Sequence, residues 1–117
     1  MAQIQKKSMT NPDETRKFDK GKMDITIVGE TTIGRAILEP GWKWSTSVKP
    51  LVKTDSCQVS HTMYVISGKM KFKMDDGTEQ EFGPGDAGIV PPGHDAWVVG
   101  NESFVGIDIT GAKTYAK

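Results

Sequence analysis

Three side chains in this sequence carry the donor atoms of a transition-metal site: Cys57, His61 and His94. A thiolate and two imidazoles suit zinc or another borderline metal, with the fourth position left to water. An ion held in this way activates bound water or polarises a carbonyl. Each residue also has a plainer reading, the cysteine as a small buried hydrophobe and the histidines as hydrogen-bonded core or rim residues. Their setting is unusual. Counting by twos along an extended segment puts Asp55, Cys57 and His61 on one side, just ahead of an apolar run. Asp55 is a candidate fourth ligand, or else a loop aspartate capping its own turn. Only two histidines are present, so one subunit cannot build a three-imidazole centre.

The elements that must position these groups read as short strands. Met63 to Ile66 is a continuous apolar run ending at Ser67-Gly68, which suits a strand buried on both faces. Beyond it Met70, Phe72 and Met74 alternate with Lys69, Lys71 and Lys73, a period of two. Together these predict two strands joined by a tight turn. Upstream, Gly21 to Val28 and Ile33 to Leu38 predict strands around a Gly29-Glu30 turn, and Trp42 and Trp44 follow at strand spacing. Downstream, Thr78 to Phe82, Ala87 to Val90, Ala96 to Val99 and Phe104 to Ile109 predict four more. Asp75-Asp76-Gly77 and Gly83-Pro84-Gly85-Asp86 mark turns, and Gly100-Asn101 fits a two-residue hairpin loop. Residues 1–20 carry few large apolar side chains and read as an arm or peripheral strand, with Asn11-Pro12-Asp13-Glu14 able to start a helical turn. Residues 21–117 read as one β domain.

The composition sets outer bounds. The sequence has 117 residues, 36% hydrophobic and 26% charged, with a formal net charge of zero. That length supports one core, and the charge balance gives no reason to expect nucleic acid or an anionic membrane as partner. No apolar run approaches the length of a membrane span. Met1 to Thr10 is polar and does not read as a secretory signal. A single cysteine forms no internal disulfide, in keeping with the cytoplasm. Thirteen glycines and six prolines between short apolar runs point to an all-β sandwich or small barrel.

The stretch from Ala36 to Ile109 resembles the cupin superfamily. One motif of that family runs Gly, five residues, Pro, one residue, Gly, two residues, His, three residues, Asn; Gly85, Pro91 and Gly93 fall on it. The other ends Glu, six residues, Gly, after a His-x-His pair, and Gly68 fits its final glycine. The resemblance implies an all-β, jelly-roll barrel of the double-stranded β-helix type, a divalent metal (zinc, iron, manganese or nickel) where one is bound, a small-molecule ligand, and a homodimer. The ligands depart from the pattern: His61 stands at the Glu, Cys57 at the second His, Asp55 at the first, Ala96 at the later His and Gly100 at the Asn. His94, two residues before Ala96, shares its side of the strand.

This reading makes Cys57, His61 and His94 the expected metal ligands, and Trp42, Trp44, Met63 and Ala96 the expected substrate wall. For the tryptophans the alternative is that they cover the barrel end; for Met63 it is plain core filling. Trp97 should point away from the cavity, Tyr64 is structural, and Lys43, Lys49 and Lys53 read as a solvated face. The parity of Asp95 argues against its orienting His94. Metal-dependent binding or chemistry, metal-free ligand sensing and a purely structural dimer all fit the sequence, because one scaffold hosts many functions.

Overall fold

The computed structural model describes residues 3–109. It holds nine strands: β1 (Glu14–Phe18), β2 (Gly21–Val28), β3 (Thr31–Leu38), β4 (His61–Ser67), β5 (Lys69–Met74), β6 (Glu79–Phe82), β7 (Ala87–Val90), β8 (His94–Val99) and β9 (Phe104–Asp108). Two one-turn helices, α1 (Trp44–Ser47) and α2 (Lys49–Val52), lie between β3 and β4. All strand pairs are antiparallel, in a six-stranded sheet ordered β1-β2-β3-β9-β4-β7 and a three-stranded sheet ordered β6-β5-β8. Alternation fills the space between them. Met23 and Ile25 of β2, Met63 and Val65 of β4, Met70 and Phe72 of β5, and Ala96 and Val98 of β8 are all buried, each set at the period of two that a pleated strand imposes.

Several local expectations need correction. The strands before and after Gly68 do not pair with each other; β4 belongs to the large sheet and β5 to the small one. Gly68 is a corner between sheets, with φ +76°, and a Cβ there would lie 2.3 Å from the Ser103 carbonyl oxygen. Close approach of two backbones therefore replaces the expected hairpin turn. The Gly100-Asn101 loop likewise crosses between sheets, because β8 pairs with β5 whereas β9 pairs with β3 and β4. The run Met63 to Ile66 is not buried on both faces: Tyr64 and Ile66 are exposed while Met63 and Val65 are core. Apolar residues on an uncovered sheet face imitate a doubly buried strand. Trp44 opens α1 instead of continuing a strand, yet both it and Trp42 are buried.

No helical turn forms at Asn11 to Glu14. Glu14 instead starts β1, paired with β2, because a free edge of β2 offers more backbone hydrogen bonds than one isolated turn. The segment ahead of β1 is tied down by polar contacts: Asp13 accepts from the Ile27 amide at 2.7 Å, and Arg35 donates to the Met9 carbonyl at 3.2 Å. Residues 110–117 of the expected domain lie outside the described residues.

Candidate metal centre

Strand alternation aims the two histidines inward from opposite sheets. His61 is the first residue of β4, in phase with Met63 and Val65; His94 is the first of β8, in phase with Ala96 and Val98. Their side chains are 4% and 1% exposed, and their ring centroids are 5.1 Å apart. Cys57 comes in on a short backbone bridge to β8. Its amide donates to the His94 carbonyl at 2.7 Å and its carbonyl accepts from the Gly93 amide at 2.7 Å. The thiol is thereby held beside the imidazole. The candidate ligand atoms of Cys57, His61 and His94 all lie within 4.8 Å of one another, and Cys57 Sγ is 3.8 Å from His61 Nε2. Asp55 is exposed and outside this group; the chain from Asp55 to Ser60 is not extended strand, so counting by twos fails there.

Each imidazole is anchored through Nδ1. His94 Nδ1 donates to the Pro91 carbonyl at 2.7 Å, which leaves Nε2 as its ligating atom. His61 Nδ1 meets Asp108 Oδ2 at 2.5 Å. A carboxylate or carbonyl behind each ring is how metal-binding histidines are oriented. Asp108 was not foreseen. It shares the inward parity of Phe104 and Gly106 on β9, and an acid at such a position is the one sequence signal available. Its partner is 47 residues away, and the β4–β9 pairing that brings them together sets Asp108 opposite Met63, diagonal to His61. Asp95, by contrast, binds the Ser45 and Ala96 amides and not His94.

Electrostatics follow from these contacts. Burial pushes the Cys57 thiol up, but the His61 and His94 imidazoles beside it outweigh burial and bring it down to about 6. Burial pushes His61 down, and Asp108 and Cys57 outweigh that and raise it to about 9. Without metal the site is a thiolate–imidazolium–carboxylate chain.

The donor set fits a tetrahedral ion. Bonds of about 2.3 Å to sulfur and about 2.0 Å to nitrogen place ligand atoms roughly 3.5 Å apart, close to the observed 3.8 Å between Cys57 and His61. The centre opens on a cavity whose wall includes Trp42, Trp44, Met63, Phe72 and Ala96. All four residues expected to form a substrate wall thus border the same space as the three expected ligands. Its free volume is about 30 Å³, room for about two waters. Trp97 is half-buried outside the cavity, where Lys43 Nζ stands 5.5 Å from its ring centre.

Comparison with known proteins bears on the architecture. A protein of unknown function from Rhizobium leguminosarum superposes with a TM-score of 0.67 at 19% identity, over 93% of this chain and 97% of that one. A cupin-like protein of Thermotoga maritima gives 0.56 at 19% identity, over 81% and 71%. The oxalate decarboxylase of Lactobacillus farciminis, solved as a formate complex, gives 0.63 at 17% identity; it covers 92% of this chain, which spans 33% of that enzyme. At these identities the likeness is one of fold, the double-stranded β-helix. No curated protein matches the sequence. No helix among the described residues is long and apolar enough to cross a membrane. Residues 43–110 match the family model for the EutQ-like cupin domain, which is more than half of the chain, and the protein belongs to that cupin family.

Proposed function

We propose that this cupin binds one divalent transition-metal ion through Cys57 Sγ, His61 Nε2 and His94 Nε2, and takes up a small molecule at the open fourth position. The observation that carries the reading is the anchoring of both rings through Nδ1, by Asp108 and by Pro91, around a buried thiol. Core histidines that merely satisfy hydrogen bonds do not need to bring two imidazoles and a sulfur together at one point. Thiolate and imidazole donors favour zinc, iron or nickel over manganese, which prefers oxygen ligands. Such an ion, when bound, supplies Lewis acidity to a ligand oxygen or water.

The chain's own residues supply the rest. Asp108 keeps the proton of His61 on Nδ1, and Phe72, Met63 and the two tryptophans keep bulk water out. The cavity sets the ligand at a few heavy atoms; formate, bound by the oxalate decarboxylase of the same fold, is of that size. We further propose a second copy of the chain as partner. Tyr64, Ile66 and Ile89 are exposed on the outer face of β4 and β7, and the charged or histidine side chains of β4, β7 and β9, His61 and Asp108, face inward.

Elemental analysis of protein purified without chelator tests the metal. The expected result is near one equivalent for wild type and a large loss for His61→Ala. Less than about a tenth of an equivalent after reloading overturns the reading, since a site of this donor strength retains its ion. A ligand-induced rise in melting temperature that ignores chelators would instead mark a metal-free binding module.

A further inference from the structure

The small sheet has two edges, and only one of them is stitched. At the β8 edge the chain between β3 and β4 forms backbone bridges: Lys43 pairs with Trp97, Cys57 pairs with His94, and the Val98 amide donates to the Trp42 carbonyl at 3.0 Å. At the other edge lies β6, beside β7, the edge strand of the large sheet; no ladder joins β6 to β7 among the described residues. Toward the β6–β7 turn this seam is plugged. The Phe82 ring lies over Gly88, where a Cβ would come within 2.7 Å of it. Toward its other end the seam widens into a groove of about 240 Å³, whose lining includes Phe72, Met74, Thr78, Phe82, Val90 and Pro91.

That groove lies level with the metal centre. Val90 is the register partner of His61 in the β4–β7 ladder, and Met74 is the partner of His94 in the β5–β8 ladder. Pro91, also at the groove, holds His94 through its carbonyl. Phe72 borders both the groove and the cavity at the metal centre. Its ring makes T-shaped contacts with His94, centroids 5.6 Å apart, and with Phe82, centroids 5.3 Å apart. A single buried hydrocarbon ring therefore packs against a ligand imidazole on one side and a groove residue on the other. All three candidate ligands are buried, so whatever reaches the open coordination position must pass a wall. Phe72 is the part of that wall with open space beside it and no side-chain hydrogen bond to break when it changes rotamer.

We propose that the β6–β7 groove is the entrance to the metal centre, and that Phe72 is the specificity-determining residue that limits the length of ligand the centre accepts. This rests on the metal reading given above. With the ring in place a bound ligand is confined to the inner 30 Å³. With the ring removed, that space and the 240 Å³ groove become continuous. The Met74, Val90 and Pro91 side of the groove then suits an unbranched apolar chain behind a metal-coordinating head.

Straight-chain carboxylates from formate to hexanoate serve as rulers of length, titrated into cobalt-loaded protein and followed by the cobalt absorption bands, with cobalt content measured on each sample. In wild type the affinity should fall by about tenfold or more from formate to hexanoate, the scale of a steric clash in a packed core. In Phe72→Ala it should instead rise about three- to fourfold per methylene from propionate onward. Adding Thr78→Trp to that variant fills the groove from its exposed rim and should abolish the rise. A length dependence in Phe72→Ala equal to that of wild type at equal cobalt overturns this proposal and leaves the metal reading intact. A rise that Thr78→Trp leaves untouched also overturns it, since the chain then lies outside the groove. Failure of wild type to hold cobalt overturns both readings. Should Phe72→Ala not fold, Thr78→Trp alone decides: in stopped flow the association and dissociation rates of formate should both fall severalfold at unchanged affinity. Rates equal to those of wild type refute the entrance.

Discussion

Replacing Asp108 by Asn isolates what the carboxylate behind His61 contributes. The two side chains have nearly the same shape, and the site is buried, Asp108 being 2% exposed. Asn can still accept the Nδ1 proton through its amide oxygen, so the ring orientation survives and only the charge is lost. A hydrogen bond to a charged group contributes about 1.5–3 kcal/mol and a neutral one about 0.5–1.5. A buried carboxylate against a ring that it helps to keep protonated puts this pair at the strong end. The difference, about 1–2 kcal/mol, corresponds to a loss of roughly 5–30-fold in metal affinity, within the range usual for such supporting groups. Zinc affinity measured by competition with a chromophoric chelator reads this directly, with Asp55→Asn as the exposed control that should change nothing. A second readout needs no metal. Asp108 is the largest influence holding His61 above its ordinary range against burial, so in metal-free Asp108→Asn the His61 ring resonances should titrate at lower pH. Zinc affinity within twofold of wild type together with an unmoved His61 titration would refute this account of the site.

Three further outcomes are expected. Between about 6 and about 9 the Cys57–His61 pair holds one proton, on His61. Metal binding must displace it, so apparent affinity should rise about tenfold per pH unit across that window, steepen below it as the thiolate takes a proton, and level off above it. Calorimetry in buffers of different ionisation enthalpy should count one released proton from this pair, and a pH-independent affinity would contradict the assignment. Gly68→Ala forces a side chain into positive φ with its Cβ 2.3 Å from Ser103 O and 2.7 Å from Phe104 Cα. The cost should be about 3 kcal/mol and the melting temperature should fall by about 10 °C or more; a change of a degree or two would mean that the corner relaxes freely. Ile89, on edge strand β7, is 72% exposed; Ile89→Glu should convert a dimer to monomer by light scattering while leaving metal content unchanged, and a dimer that survives it does not use this face.

Much of the architecture was legible because its signals are local. The alternation of Met70, Phe72 and Met74 with lysines, and the spacing of Gly85, Pro91 and Gly93, depend only on the two-residue strand period and on backbone conformations that glycine and proline favour. The same period is why His94 could be placed beside Ala96. Where the chain turned from one sheet to the other, local signals misled. Gly68 and Gly100 both carry positive φ, as hairpin turns would, and nothing nearby in sequence tells a hairpin from a corner. Tyr64 and Ile66 are as apolar as Met63 and Val65, so residue type could not reveal which face lay uncovered.

The sequence by itself determined that the fold is built of short strands, and that a thiol and two imidazoles are the available soft ligands; donor chemistry and the two-residue period are properties of residues and their neighbours. Only the tertiary structure decided that Asp108 stands behind His61, that Pro91 orients His94, that Trp42 and Trp44 border the same cavity, and that Asp55 stays outside. Those facts depend on which strands pair and in what register. The pairing is fixed by burial across the whole core, at sequence separations no local pattern spans.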